Sequence, residues 1–287
     1  MAVPSRNRGV AGWRALAIAA ATGLALAGTA TQSAMAADDQ LELGALMPMT
    51  GDLQAYGQTC LNGVNLAVKE INAAGGVLGN DIQVRVGDTQ TKPQSGIDAA
   101  KKLVSIEGVS GIVGALSSGV TIPVAQSVTS REGVPQVSPA STSPVITGLD
   151  DNDFMFRSVP SDAFQGKALA EVTADAGVDS VSILYINNDY GEGLAQSFTS
   201  AFEGTGGSVD QSLAYEPGNA SYRGELSKAS GGGAEALVLI GYPENGVTIL
   251  RQAVEGGHFD QFVFTDGMKA PEIIEAVGAS VLNGSFG

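Results

Sequence analysis

Short apolar runs alternate with longer segments of helical spacing along almost the whole chain, and no other feature restricts the fold as much. Residues 41–47 read as a strand. A helix follows over 56–73, with Cys60, Val64, Ala67, Val68 and Ile71 on one face, and Gly75-Gly76 ends it. Residues 82–86 form a second strand closed by Asp88, 95–107 a helix, 111–116 a third strand, 120–131 a helix and 134–138 a fourth strand. Strands separated by helices at this spacing make βαβ units and a parallel sheet. Ligands of such sheets gather beyond the carboxyl ends of the strands, which singles out loops 48–57, 116–121 and 138–144.

The rhythm breaks once, at Phe154-Met155-Phe156-Arg157-Ser158-Val159-Pro160, a short strand ending at a proline. It then restarts with helix 163–176, strand 180–186, loop 187–190, helix 191–202, strand 208–215, helix 222–229, strand 236–240, helix 244–255, strand 261–264 and helix 271–277. Gly231-Gly232-Gly233 lacks the lysine and the preceding strand of a phosphate loop and reads as a helix-to-strand turn. Two similar α/β sets joined near residue 158 predict two lobes on a hinge.

Within the first set, residues 110–144 carry two Ser/Gly/Thr-rich loops, each placed after an apolar run. Hydroxyls and unpaired N–H groups at helix starts suit a small anion. No residue there pairs with a base, so the stretch reads as a holder of a carboxylate rather than a catalytic centre. A nucleophile elbow is absent, because Ala115 and Leu116 stand two residues before Ser117 and Ser118, where glycine is required.

The N-terminus has the three parts of an export signal: Arg6, Arg8 and Arg14, an apolar stretch over 15–27, and Ala34-Met35-Ala36 as cleavage site. Thr29 occupies the place where a lipoprotein needs cysteine. Residues 1–36 are therefore expected to leave, giving a chain that is exported, periplasmic or otherwise extracytoplasmic, soluble, and not inserted in the membrane. Its fifteen basic residues fall to twelve against thirty acidic ones, a net charge of −18. That argues against nucleic acid and anionic membrane as partners. One cysteine, Cys60, and one histidine, His258, exclude an internal disulfide, a His/Cys metal site and a triad with another histidine as base. Cys60 reads as buried and inert, His258 as a helix-end surface residue, and no cofactor is expected.

Four stretches carry a family resemblance in order and spacing: Pro48-Met49-Thr50-Gly51 with Tyr56-Gly57; Ile71-Asn72-Ala73-Ala74-Gly75-Gly76-Val77-Leu78-Gly79; Ser138-Pro139-Ala140-Ser141-Thr142-Ser143-Pro144; and Asn188-Asp189-Tyr190-Gly191-Glu192-Gly193. Tyr242-Pro243-Glu244 adds a fifth. Over residues 41–287 the chain resembles the substrate-binding proteins of branched-chain amino-acid ABC transporters, the leucine/isoleucine/valine-binding type. The resemblance implies a type I periplasmic-binding-protein clamp: two lobes, each a parallel sheet flanked by helices, with ligand between them. It divides the chain into an N-terminal lobe over 37–158 and a C-terminal lobe over 159–287. In this family the chain returns to the first lobe at about residue 287, so the first lobe is expected to be incomplete and the C-terminal part missing, with apolar helix faces left uncovered.

Matched position by position, the resemblance implies that Ser118 and Thr142 bind an α-carboxylate and that the Ala140 carbonyl meets the α-ammonium. Asp266 pairs with that ammonium from the second lobe, where the leucine-type protein carries glutamate. Tyr56, Tyr190 and Tyr242 line the cleft, and Leu116 and Ser117 touch the ligand side chain. Four of them have a plainer reading beside the first: Ser118 as a helix cap, Asp266 as a turn aspartate before Gly267, Tyr190 as part of its loop, Leu116 as core.

The implied function is a monomeric, non-catalytic solute-binding protein that delivers an amino acid, branched-chain first, to a membrane permease. The alternative is an amide- or urea-binding, or ligand-sensing, protein of the same fold.

Overall fold

The computed structural model describes residues 40–287; the expected signal peptide over 1–36 lies outside them. Five strands, β1 (Leu41–Met47), β2 (Ile82–Asp88), β3 (Ile112–Gly114), β4 (Gln136–Ser138) and β5 (Met155–Arg157), form one sheet in the order β2-β1-β3-β4-β5. Four more, β6 (Ser180–Ile186), β7 (Ser208–Tyr215), β8 (Ala236–Ile240) and β9 (Phe262–Phe264), form a second in the order β7-β6-β8-β9. Every strand pairing in both sheets is parallel. The expected α/β class with two parallel sheets flanked by helices is the fold observed.

Both sheets reverse their winding at one place. The chain moves one way from β1 to β2, then the other way from β1 to β3, and it does the same about β6. At such a switch point the loops leaving neighbouring strands diverge and open a crevice. The loops concerned follow β1 and β3 in one sheet and β6 and β8 in the other, so topology brings segment 48–53 beside 115–117 and segment 187–188 beside 241–242.

Burial explains the strand sequences. Ala236 to Ile240 is an unbroken apolar run because every residue of β8 is fully enclosed, as expected of a central parallel strand covered on both faces. Helices α5 (Asp162–Asp175) and α6 (Asp189–Gly204) cover one face, and Phe198 stacks on Phe202 with ring centroids 5.3 Å apart. In the first lobe, α2 (Pro93–Ser105) packs Ala100 and Leu103 against Leu46 and Ile112. Along α1 (Gln54–Ala73) only Gly57 and Leu61 are buried, and Leu66 is 57% exposed.

Three sequence expectations are corrected locally. The third strand stops at Gly114, whose φ of +129° leaves the extended region and turns 115–117 out of the sheet. The helix expected over 120–131 starts earlier and is not regular: α3 (Ser118–Val124) passes through a π-helical stretch (Ala125–Thr129) into one turn, α4 (Ser130–Glu132). Pro123, with no N–H to give, stands just before that stretch. The loop expected over 187–190 is shorter, because the Asn188 side chain accepts the N–H groups of Tyr190 and Gly191 and starts α6 at Asp189. Further on, α7 (Arg223–Ser230), α8 (Pro243–Glu255) and α9 (Pro271–Val277) follow the expected spacing, with 231–233 the expected turn.

After β5 the chain leaves the first sheet through Ser158–Ser161 and enters α5. The two lobes touch across the crevice at two glycines. A β-carbon on Gly193 of α6 would lie 2.8 Å from the Pro144 ring, and one on Gly119 of α3 would lie 3.1 Å from the Asn188 β-carbon. Gly193→Ala is therefore expected to wedge the lobes apart, read as a larger radius of gyration in small-angle X-ray scattering with an unchanged circular-dichroism spectrum.

Candidate functional site

The crevice encloses a cavity of about 120 Å³, below the ~300–1,000 Å³ of pockets for drug-sized ligands. Leu53, Tyr56, Cys60, Leu116, Ser118 and Ala140 come from the first lobe, and Tyr190, Tyr242, Asp266 and Gly267 from the second. Seven of the nine residues singled out in the sequence thus line this one cavity, and Ser117 and Thr142 do not.

On the first-lobe side, most of the serine and threonine hydroxyls hold the loop itself. Ser138 Oγ donates to the Ala115 carbonyl at 2.6 Å, Thr121 Oγ1 to the same oxygen at 3.1 Å, and Ser141 Oγ to the Leu116 carbonyl at 2.9 Å. These carbonyls lost their ladder partners when β3 ended at Gly114, and the hydroxyls replace them. Ser118 differs. Its Oγ accepts the Ser143 N–H at 3.2 Å, which leaves the hydroxyl proton to give. The N–H groups of Ser118 and Gly119 in the first turn of α3 have no acceptor among the described residues, and the Ala140 carbonyl has no donor among them.

The second-lobe side is organised around Tyr190, 3% exposed in the first turn of α6. Its hydroxyl lies 2.7 Å from Asp266 Oδ1, 2.9 Å from Thr265 Oγ1 and 3.3 Å from the Gly267 N–H. A carboxylate only accepts, so Tyr190 gives its one proton to Asp266 and accepts from Thr265 and Gly267. Asp266 opens the 3₁₀ turn Asp266–Met268 after β9, and its own N–H is held by Gln165 Oε1 at 3.1 Å. Tyr242 stacks on Tyr190, with centroids 5.5 Å apart and planes 11° from parallel.

Among the described residues, two hydrogen bonds made by side chains cross the crevice. Tyr56 Oη donates to the Gly267 carbonyl at 3.3 Å, and Ser117 Oγ meets Tyr242 Oη at 3.0 Å. Ser117, expected to touch the ligand side chain, places its hydroxyl against the opposite lobe. Burial, then the charge of Asp266, pushes the Tyr56 hydroxyl up to about 12, and burial drives Tyr190 and Tyr242 higher still. All three stay protonated donors at neutral pH.

Thr142 is held back by its backbone. Its carbonyl accepts from the Asp162 N–H at 2.8 Å and from Arg157 Nη1 at 2.9 Å, and Oγ1 has no partner with hydrogen-bond geometry among the described residues. Oγ1 instead faces Asp162, close enough to favour that carboxylate's charge without forming a well-shaped bond. Asp162 escaped the sequence reading, because nothing marks one acidic residue in a helix's first turn as special. It is fully enclosed, and Gln165 Nε2 donates to its Oδ1 at 2.8 Å. Gln165 thereby joins the hinge segment to Asp266.

Cys60 is half-buried on the cavity wall rather than in the core, and burial raises its thiol pKa, which keeps it a poor nucleophile. His258 bonds Ser230 through Nδ1 at 3.0 Å and lines a separate surface pocket with Ala234 and Asn283. No group of three or more potential metal ligands occurs among the described residues.

A family model described as periplasmic binding protein matches residues 40–287. The chain belongs to the periplasmic binding protein family. It is 30% identical over 227 residues to Leu/Ile/Val-binding protein homolog 3 of Brucella melitensis, a match covering 78% of this chain and 60% of that relative. The isoleucine complex of the branched-chain amino acid transporter substrate-binding protein LivJ of Streptococcus pneumoniae superposes with a TM-score of 0.74 at 28% identity, covering 86% of this chain and 70% of that one. A solute-binding protein of an ABC transporter from R. palustris, in complex with 4-hydroxybenzoate, shares the fold at a TM-score of 0.75 and 18% identity, over 84% and 66% of the two chains.

Asp162 gives this family member a pH dependence. Burial first, then the Asp266 charge, pushes its carboxyl up to about 7 from 3.8. The folded chain thus keeps a proton that the unfolded chain releases between those values. The stability it contributes is complete below pH 3.8 and is lost as pH rises through 7. Asp162→Asn is expected to flatten the decline in melting temperature between about pH 5 and about pH 8 and to raise it at the alkaline end, measured by calorimetry across that range.

Proposed function

We propose that this chain is an exported solute-binding protein of an ABC importer, holding one small amino acid between lobes 37–158 and 159–287 and delivering it to a membrane permease. The observation that carries the reading is the polarity of the 120 Å³ cavity: unspent donors on the first-lobe wall and a carboxylate fixed on the second. The Ser118 hydroxyl and the neighbouring N–H groups suit an α-carboxylate. The Ala140 carbonyl and Asp266 suit an α-ammonium. Leu53, Leu116 and the rings of Tyr56 and Tyr242 leave an apolar space for a short side chain.

The charges also account for closure. An ammonium or carboxylate enclosed without a partner is costly, by several kcal/mol or more. Here the partners of a zwitterion belong to different lobes, so only the closed arrangement satisfies both ends, and the ligand shifts the population toward it. Binding, rather than catalysis, is the activity proposed: the cavity holds no base beside Ser118, and His258 sits against Ser230. No helix among the described residues is long and apolar enough to cross a membrane.

Branched-chain amino acids come first in the proposed order, because the wall near Leu53 and Leu116 is apolar and the cavity is small. Leucine is expected to raise the melting temperature of the protein, and Asp266→Ala to remove most of that rise, in a thermal-shift panel of amino acids, short amides, urea and aromatic acids. A rise with an amide, urea or an aromatic acid and none with any amino acid would reverse the assignment of ligand while leaving the clamp intact.

A further inference from the structure

A second cavity, of about 430 Å³, lies in the same crevice. It shares Tyr242 with the inner cavity and is lined by Ser117 and Gly119 on the first-lobe side and by Asn188 and Gly218 on the second. Successive residues of one loop therefore face different spaces: Ser118 the inner cavity, Ser117 the outer. What stands between them is the 3.0 Å contact from Ser117 Oγ to Tyr242 Oη, supported by Asn188 Nδ2 at 3.4 Å from the same phenol oxygen.

The two spaces differ in chemistry. The inner cavity is lined largely by Leu53, Leu116 and tyrosine rings, with one carboxylate, Asp266. The outer space has three charged residues, Asp52 and Lys92 from the first lobe and Glu244 from the second, so carboxylates outnumber the cation. Asp52 and Tyr242 line this same space from opposite lobes. Tyr222 and Asn245 brace the outer wall from behind, Asn245 Oδ1 accepting the Gly218 N–H at 2.8 Å and the Tyr222 hydroxyl at 2.9 Å.

We propose that the Ser117–Tyr242 hydrogen bond is a partition that sets ligand size, and that the polar chamber behind it is a second subsite for the donor-bearing end of a long amino-acid side chain. The inference rests on the amino-acid reading above. With the partition intact, a side chain extending from the inner cavity meets two hydroxyls already satisfied by each other, and displacing them leaves both unpaired. With it removed, an amide or guanidinium end reaches Asp52 and Glu244. A short aliphatic side chain gains nothing there, since it stops before the partition.

Isothermal titration of the protein and of Ser117→Gly and Tyr242→Phe with leucine, glutamine and arginine tests this. Ser117→Gly opens space as well as breaking the contact, and Tyr242→Phe breaks the contact with the ring stack kept. The expected result is a preference for leucine in the unaltered protein. Both variants should shift the arginine-to-leucine Kd ratio toward arginine by about tenfold, some 1.4 kcal/mol. Asp52→Asn added to Ser117→Gly should cancel the gain for arginine. Leucine binding with an unchanged ratio in both variants overturns the partition alone, and so does tight arginine binding by the unaltered protein. Binding of none of the three by any form overturns the amino-acid reading and the partition together.

Discussion

One hydroxyl proton orders the second-lobe half of this site. Tyr190 gives it to Asp266, and because it has no second proton, Thr265 and Gly267 must donate to it. The carboxylate is thus aimed before any ligand arrives. The same ring supports Tyr242 by stacking, and Tyr242 reaches the other lobe through Ser117. Rigid, amphipathic tyrosines do this well: the ring is packed as apolar surface while the oxygen keeps a polar appointment at its tip.

The first lobe solves a different problem. Ending β3 at Gly114 frees backbone carbonyls at the very place where a crevice is needed, and carbonyls without donors would be expensive once covered. Ser138, Thr121 and Ser141 meet that need from neighbouring elements, which leaves Ser118 as the hydroxyl still able to act outward. The richness of this segment in serine and threonine is therefore mostly architecture, and its capacity for an anion rests on a few atoms.

Much of this was legible in the residues. Strands β1, β6, β7 and β8 and helix α9 have the bounds that apolar spacing and glycine punctuation predict, because each is an unbroken regular element. The irregular places were not legible. A π-helical stretch after Pro123, a strand cut short at Gly114 and an Asn188 cap are local departures from regular geometry that leave no mark in the spacing of apolar residues. Seven of nine expected site residues share the cavity wall, since conserving their order within loops at strand ends suffices to bring them there. Ser117 and Thr142 differ because each found a partner in three dimensions that adjacency does not reveal: Tyr242, 125 positions away, and the hinge residues Arg157 and Asp162. Asp162 was silent for the same reason, its environment being assembled from Thr142 and Arg157 of the first lobe and from Gln165 and Asp266 of its own.

Cys60 offers a practical consequence. It is the sole cysteine of the sequence, and it lines the inner cavity together with Tyr56. A maleimide or a fluorescent dye attached there would compete for space with whatever the cavity holds. Burial holds that thiol protonated, so the reaction needs alkaline solution; there occupied and empty molecules would differ in labelling rate, and the single thiol would report the saturation of the cavity.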